Sequence, residues 1–107
     1  MKCLVTGGSG FLGSHVADEL TKKGHKVTIY DKKKSLYLKK RQKFIKGDIC
    51  DFRKLQKAVS NSQIVYNFAG LSDLNNAIKE PLLSVKLNVL ATVQLMELCT
   101  KFKIKRF

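Results

Sequence analysis

The 107-residue chain is short of acids, with 8 Asp and Glu against 21 Lys and Arg, and it holds only three cysteines and two histidines. Cys3, Cys50 and Cys99 are odd in number, far apart and without a C-x-x-C pair. That argues against a disulfide framework or a zinc site and fits a reducing, cytoplasmic setting. His15 and His25 have no second ligand at metal-site spacing, so both are expected to be ordinary surface or boundary residues. No uninterrupted run of about 18 apolar residues is present, which excludes a transmembrane helix on that measure and leaves no membrane among the expected partners. The apolar stretch Cys3-Leu4-Val5 runs straight into glycines, unlike a signal peptide. Linkers, repeats and low-complexity tracts are also missing, and the length gives room for one domain rather than two.

What is present begins with charge. The net charge is +13, and eight of the basic residues fall between Lys32 and Lys46 with no acid among them. One reading is a solvated, lysine-rich loop. The other is a surface that attracts an anion, whether nucleotide, nucleic acid or acidic partner. The segment has no recognition-helix pattern, which weighs against nucleic acid as the main partner.

Periodicity then gives an alternation of strands and helices. Lys2 to Thr6 is a short apolar run bounded by glycines and reads as a buried strand. From Gly10 the spacing turns helical through Phe11, Leu12, His15, Val16, Glu19 and Leu20, with Gly24 as the stop. Lys26 to Asp31 is a second strand, so strand, glycine loop, helix and strand fill about 30 residues, the size of a βαβ unit. Phe44 and Ile45 mark a third strand. Asp51 is a candidate N-cap for a helix carrying Phe52, Leu55, Ala58 and Val59 on one side. Ile64 to Asn67 is a fourth strand. After a loop through Pro81 comes the longest helix, and Ile104 to Phe107 opens a fifth strand, inside which the chain stops. The pattern predicts an α/β, Rossmann-like doubly wound parallel sheet in the order 3-2-1-4-5.

The loop Gly7-Gly8-Ser9-Gly10-Phe11-Leu12-Gly13 carries the chemistry. Gly8-x-Gly10-x-x-Gly13 matches a dinucleotide fingerprint, and its context is right, since it follows a strand and opens a helix. Glycines there allow a tight turn and close approach of backbone N–H groups to a pyrophosphate. The helix N-terminus adds unpaired donors and a partial positive charge. Asp31, at the end of the second strand, is placed to accept hydrogen bonds from ribose hydroxyls, which favours NAD over NADP. Lys32, Lys33 and Lys34 pull the other way, because a cation there could accept a 2′-phosphate.

With these residues in view, the chain resembles the extended short-chain dehydrogenase/reductases, in particular the NAD-dependent sugar-nucleotide epimerases and dehydratases. Thr6 to His15 is similar to that family's T-G-x-x-G-x-x-G opening. Gly47-Asp48-Ile49-Cys50-Asp51 resembles its G-D-[IL]-x-D segment, which implies that Asp48 and Ile49 approach the adenine. Val65-Tyr66-Asn67-Phe68-Ala69-Gly70 resembles a fourth-strand motif whose last residues line the nicotinamide side. Pro81, Asn88-Val89 and Thr92 match the P…N-[VI]-x-G-T pattern of the next helix. The chain departs from that pattern at Ala91, where glycine is usual, and at Asn67, where histidine is frequent. Together, motif and resemblance make Gly7, Gly10, Phe11, Leu12, Gly13, Asp31, Lys32, Asp48, Ile49, Phe68, Ala69, Gly70 and Asn88 the expected cofactor contacts.

The resemblance also implies a catalytic Y-x-x-x-K pair on a helix beyond the fifth strand. The one such string here, Tyr30 to Lys34, ends the second strand beside the expected adenosine position and is rejected, since a catalytic tyrosine must reach the reacting hydroxyl. Residues 1–107 are thus expected to be an N-terminal dinucleotide-binding portion with no catalytic base of their own. Its partners would be NAD and, in a longer parent, a sugar nucleotide. Exposed sheet edges and apolar surface predict self-association. Two alternatives stand beside the enzyme: a non-catalytic NAD(P)-sensing module, and a basic domain that binds nucleic acid or an acidic partner through Lys32–Lys46.

Overall fold

The computed structural model describes all residues from Met1 to Phe107. Four parallel strands, β1 (Lys2–Thr6), β2 (Lys26–Asp31), β3 (Gln42–Lys46) and β4 (Ile64–Asn67), form one sheet in the order β3-β2-β1-β4. The helices are α1 (Phe11–Lys22), α2 (Phe52–Ser60), a short α3 (Leu74–Lys79) and the continuous α4 (Pro81–Lys101). The predicted fifth strand is reduced to one parallel bridge between Arg106 and Ile64, with Val65 N–H donating to the Arg106 carbonyl at 3.0 Å. It lies beside β4, where the order 3-2-1-4-5 requires it.

Each strand alternates between the two faces of the sheet. Cys3, Val5, Val27 and Ile29 pack with Ala17 and Leu20 of α1. Leu4, Tyr30 and Val65 pack on the other face with Leu55, Ala58 and Val59 of α2 and with Ala91, Leu95, Leu98 and Cys99 of α4. Those spacings of three, four and seven are the buried stripes of amphipathic helices. Phe52, expected on the stripe of α2, is 40% exposed instead.

The helix ends follow local chemistry. α1 stops as Gly24 turns to φ +84, with Gly24 N–H donating to the Thr21 carbonyl and His25 N–H to the Leu20 carbonyl, a Schellman cap. The Asp51 carboxylate caps α2 by accepting from Lys54 N–H at 3.1 Å.

α4 departs from its sequence reading in two ways. Residues Lys86–Leu90 form a π turn within it. In addition, its apolar 18-residue window has a mean hydropathy of 1.4 and is only 22% buried. By length and composition this helix could cross a membrane, so the exclusion drawn from apolar runs is corrected. Ser84, Lys86, Asn88, Thr92, Gln94 and Glu97 interrupt the run, but only two of them are charged, which keeps the mean high.

Candidate cofactor site

Parallel strands deliver their C-terminal ends, and the loops that follow, to one edge of the sheet. There β1, β2 and β4 surround a cavity of about 550 Å³. Gly7, Gly10, Phe11, Leu12 and Gly13 form its centre. Tyr30, Asp31, Lys32, Gly47 and Ile49 form one end, and Phe68, Ala69, Gly70, Ser72 and Leu87 the other.

The centre is a turn that only glycine completes. Gly7 has φ +68, and a Cβ there would lie 2.5 Å from the Phe68 carbonyl carbon and oxygen. A Cβ on Gly13 would run into the Gly7 carbonyl. The turn therefore lies against both the next strand loop and its own helix. At the start of α1 no side chain caps the helix and no acid occupies the first turn. The first-turn amides of Phe11, Leu12 and Gly13 thus keep no intrahelical partner. A bare cradle of amides with no room for a Cβ suits a phosphate, so these residues fit the pyrophosphate of a dinucleotide. Beside them, the buried Ser9 hydroxyl has no hydrogen-bond partner within the protein.

The end of the cavity at β2 is charged. Asp31 Oδ2 accepts from Ser9 N–H at 3.0 Å and Oδ1 from Lys33 N–H at 3.3 Å. This carboxylate thereby ties the glycine turn to the end of β2. Lys32 Nζ lies 3.4 Å from Asp48 Oδ2. The Cys50 N–H donates to Asp48 Oδ1 at 2.9 Å, and this bond, with the Lys32 ammonium behind it, holds the Asp48 carboxyl below its usual range. Tyr30 forms the floor. Its hydroxyl donates to the Asp48 carbonyl at 2.8 Å, and burial, with Asp51 and Asp48 nearby, pushes its pKa up to about 12. A phenol so raised is a poor base near neutrality, a second reason to discard the Tyr30–Lys34 string.

The opposite end carries no charge. Asn88, one of the expected cofactor contacts, clasps the backbone of Leu71: its Oδ1 accepts from Leu71 N–H at 2.7 Å and its Nδ2 donates to the Leu71 carbonyl at 3.0 Å. Asp48 and Asn88 are the two expected residues that do not line the cavity, and each braces a segment that does. The other eleven line it. Sequence reading missed Tyr30, Gly47, Ser72 and Leu87. For Gly47 a signal existed in the G-D pair, since a Cβ there would strike the Tyr30 ring. Leu87 is turned inward by the π turn, which no spacing announces. No group of three or more His, Cys, Asp or Glu is arranged to hold a metal ion.

Comparison with known proteins agrees with this geometry. The model of the NAD dependent epimerase/dehydratase family matches residues 3–107. A UDP-glucose 4-epimerase of Klebsiella pneumoniae is 34% identical over 119 residues, covering 100% of this chain and 86% of that one. A dTDP-D-glucose 4,6-dehydratase of Dictyostelium discoideum is also 34% identical, covering 99% of this chain and 27% of its own length. The solved UDP-glucose 4-epimerase of Thermotoga maritima with UDP-glucose superposes with a TM-score of 0.92 at 30% identity, over 98% of this chain and 36% of that one. That of Thermus thermophilus in complex with NAD gives 0.90 at 28% identity, over 97% and 35%. The chain therefore spans about a third or less of most of these proteins.

Proposed function

Because the chain belongs to the NAD-dependent epimerase/dehydratase family, we propose that it is the dinucleotide-binding domain of an enzyme that acts on sugar nucleotides. The observation that carries this reading is a single cavity running from the Asp31 carboxylate, past the bare amides of α1, to the uncharged Phe68–Ser72 segment. NAD bound there supplies a nicotinamide that takes and returns a hydride. The chain's own part is to bind and orient. Asp31 receives ribose hydroxyls, the amides of Phe11, Leu12 and Gly13 hold the pyrophosphate, and Phe68, Ala69, Gly70 and Leu87 wall the nicotinamide end. Asp31 would repel a 2′-phosphate, which favours NAD over NADP.

Among the ionisable residues lining the cavity, Tyr30, Asp31 and Lys32 all lie at the adenosine end, so the 107-residue chain is expected to bind NAD without turning over a sugar nucleotide. Calorimetric titration tests this. Saturable NAD binding, weaker NADP binding and no epimerisation or dehydration are expected, and a folded chain that ignores NAD overturns the proposal. Salt-sensitive nucleic-acid binding that survives loss of Gly10 and Gly13 would favour the Lys32–Lys46 surface instead. Self-association belongs to the same proposal. Leu82, Val85, Val89, Leu90, Val93 and Met96 of α4 are 49% to 86% exposed, and clustered exposed apolar side chains mark interaction surfaces. Sedimentation should show dimers or larger species, and a strict monomer at high concentration would count against it.

A further inference from the structure

A line of polar side chains crosses the protein behind the uncharged end of the cavity. Thr6 Oγ1, on the last residue of β1, donates to Asn67 Oδ1 at 2.6 Å. Asn67 Nδ2 donates to Thr92 Oγ1 at 3.4 Å, and Thr92 Oγ1 donates to the Asn88 carbonyl at 2.9 Å. Asn88 then holds Leu71 through both of its side-chain polar atoms. The Asn88 carbonyl lies in the π turn Lys86–Leu90, a widened turn of a rare kind. The same turn places Leu87 in the cavity wall.

The Thr92 hydroxyl sets the direction of this line. The single Thr92 hydroxyl proton goes to the Asn88 carbonyl, so Thr92 must accept from position 67. Thr6 Oγ1 lies 2.6 Å from Asn67 Oδ1 and 3.5 Å from the Tyr66 carbonyl, so its proton goes to the nearer acceptor, at position 67. An amide satisfies both demands, as does a neutral imidazole, whereas a carboxylate has no proton for Thr92.

Building on the dinucleotide reading above, we propose that Asn67 is a positioning residue: through Thr92 and Asn88 its amide holds the π turn that pins Leu71, and so sets the Phe68–Ser72 wall for the nicotinamide half of the ligand. Asn67 itself lies outside the cavity lining.

The test uses the full 107-residue chain with Asn67→Asp, Asn67→His and Thr92→Val, the last nearly isosteric and chosen to keep the fold. Amide hydrogen exchange is followed by NMR without ligand, and NAD and AMP affinities are measured by calorimetry. In Asn67→Asp and Thr92→Val the Leu71 amide should exchange about tenfold faster, the loss expected for one hydrogen bond, while Val5 and Ile29 in the sheet stay unchanged. NAD affinity should fall by about the same factor with AMP affinity unaffected, and Asn67→His should restore both. Unchanged Leu71 exchange, equal acceleration at Val5 and Ile29, or parallel weakening of NAD and AMP would overturn the proposal. A chain that binds neither ligand would refute the dinucleotide reading, and the exchange at Leu71 would still decide the role of Asn67.

Discussion

At the β2 end of the cavity, side chains face the space they define: the Asp31 carboxylate, the Lys32 ammonium and the Tyr30 floor all stand in its wall. At the β4 end, the wall is backbone and apolar surface, and the polar groups that shape it, Asn67, Thr92 and Asn88, sit behind it. The first end can recognise a ligand by charge and hydrogen bonds. The second can only offer a shape, held at a distance. Loss of a side chain at the charged end should therefore weaken any adenosine-containing ligand. Loss behind the neutral end should weaken only a ligand long enough to reach it.

The largest effect is expected where the two ends meet. Gly7→Ala would place a Cβ against the Phe68 carbonyl in a left-handed backbone, costing about 3 kcal/mol of stability and abolishing measurable NAD binding. Urea unfolding and calorimetry would measure both. A stable variant with normal affinity would show that the glycine turn does not join the two ends.

Next comes Asp31→Asn. NAD and AMP should both weaken by about tenfold or more, since a charged acceptor is lost, and discrimination against NADP should shrink. Parallel loss of the two ligands is the opposite of the split expected for Asn67. If AMP binding were untouched, the adenosine would have been placed at the wrong end.

Tyr30→Phe should cost about 1 kcal/mol through the lost bond to the Asp48 carbonyl. Its pH dependence has a definite sign. The phenol is raised from 10.0 to about 12 in the fold, so the unfolded chain releases the proton first. Stability from this group is complete below pH 10 and declines as pH rises toward 12. The thiols of Cys3, Cys50 and Cys99, raised chiefly by burial, add an alkaline decline of their own in both proteins. The difference between wild type and Tyr30→Phe in alkaline unfolding curves isolates the tyrosine, and curves that stay parallel above pH 10 would contradict its burial.

Lys32→Gln should matter least. Lys32 and Asp48 are 59% and 46% exposed, and such pairs contribute roughly 0 to 1 kcal/mol. Any change in NAD affinity should be about twofold and vanish in high salt, as screened surface charge requires.

The same contrast marks what could be read from the sequence. β1, β2 and β4 fall where period and glycine boundaries put them, and Asp31 follows the glycine loop at the distance a βαβ unit sets. Those features are local, or fixed by one crossover. The π turn of α4, the clasp of Asn88 on Leu71 and the inward turn of Leu87 depend on contacts 17 or more residues apart in sequence. No helical period encodes them. Asn67 stood out only as a departure from a frequent histidine, and its role emerges once Thr6 and Thr92 are seen on either side. The hydropathy of α4 escapes a search for unbroken apolar runs because scattered polar residues, only Lys86 and Glu97 of them charged within the window, break the run without making the helix polar.

The most direct measurement is an NMR titration of the 107-residue chain with NAD and, separately, with AMP. NAD should shift the amides of Phe11 to Gly13, of Lys32 and Lys33, and of Ala69 to Ser72 in one saturable step, whereas AMP should leave Ala69 to Ser72 unmoved. Saturable NAD shifts confined to one end, or shifts from AMP that reach Ser72, would contradict a dinucleotide lying extended between the charged and the neutral wall.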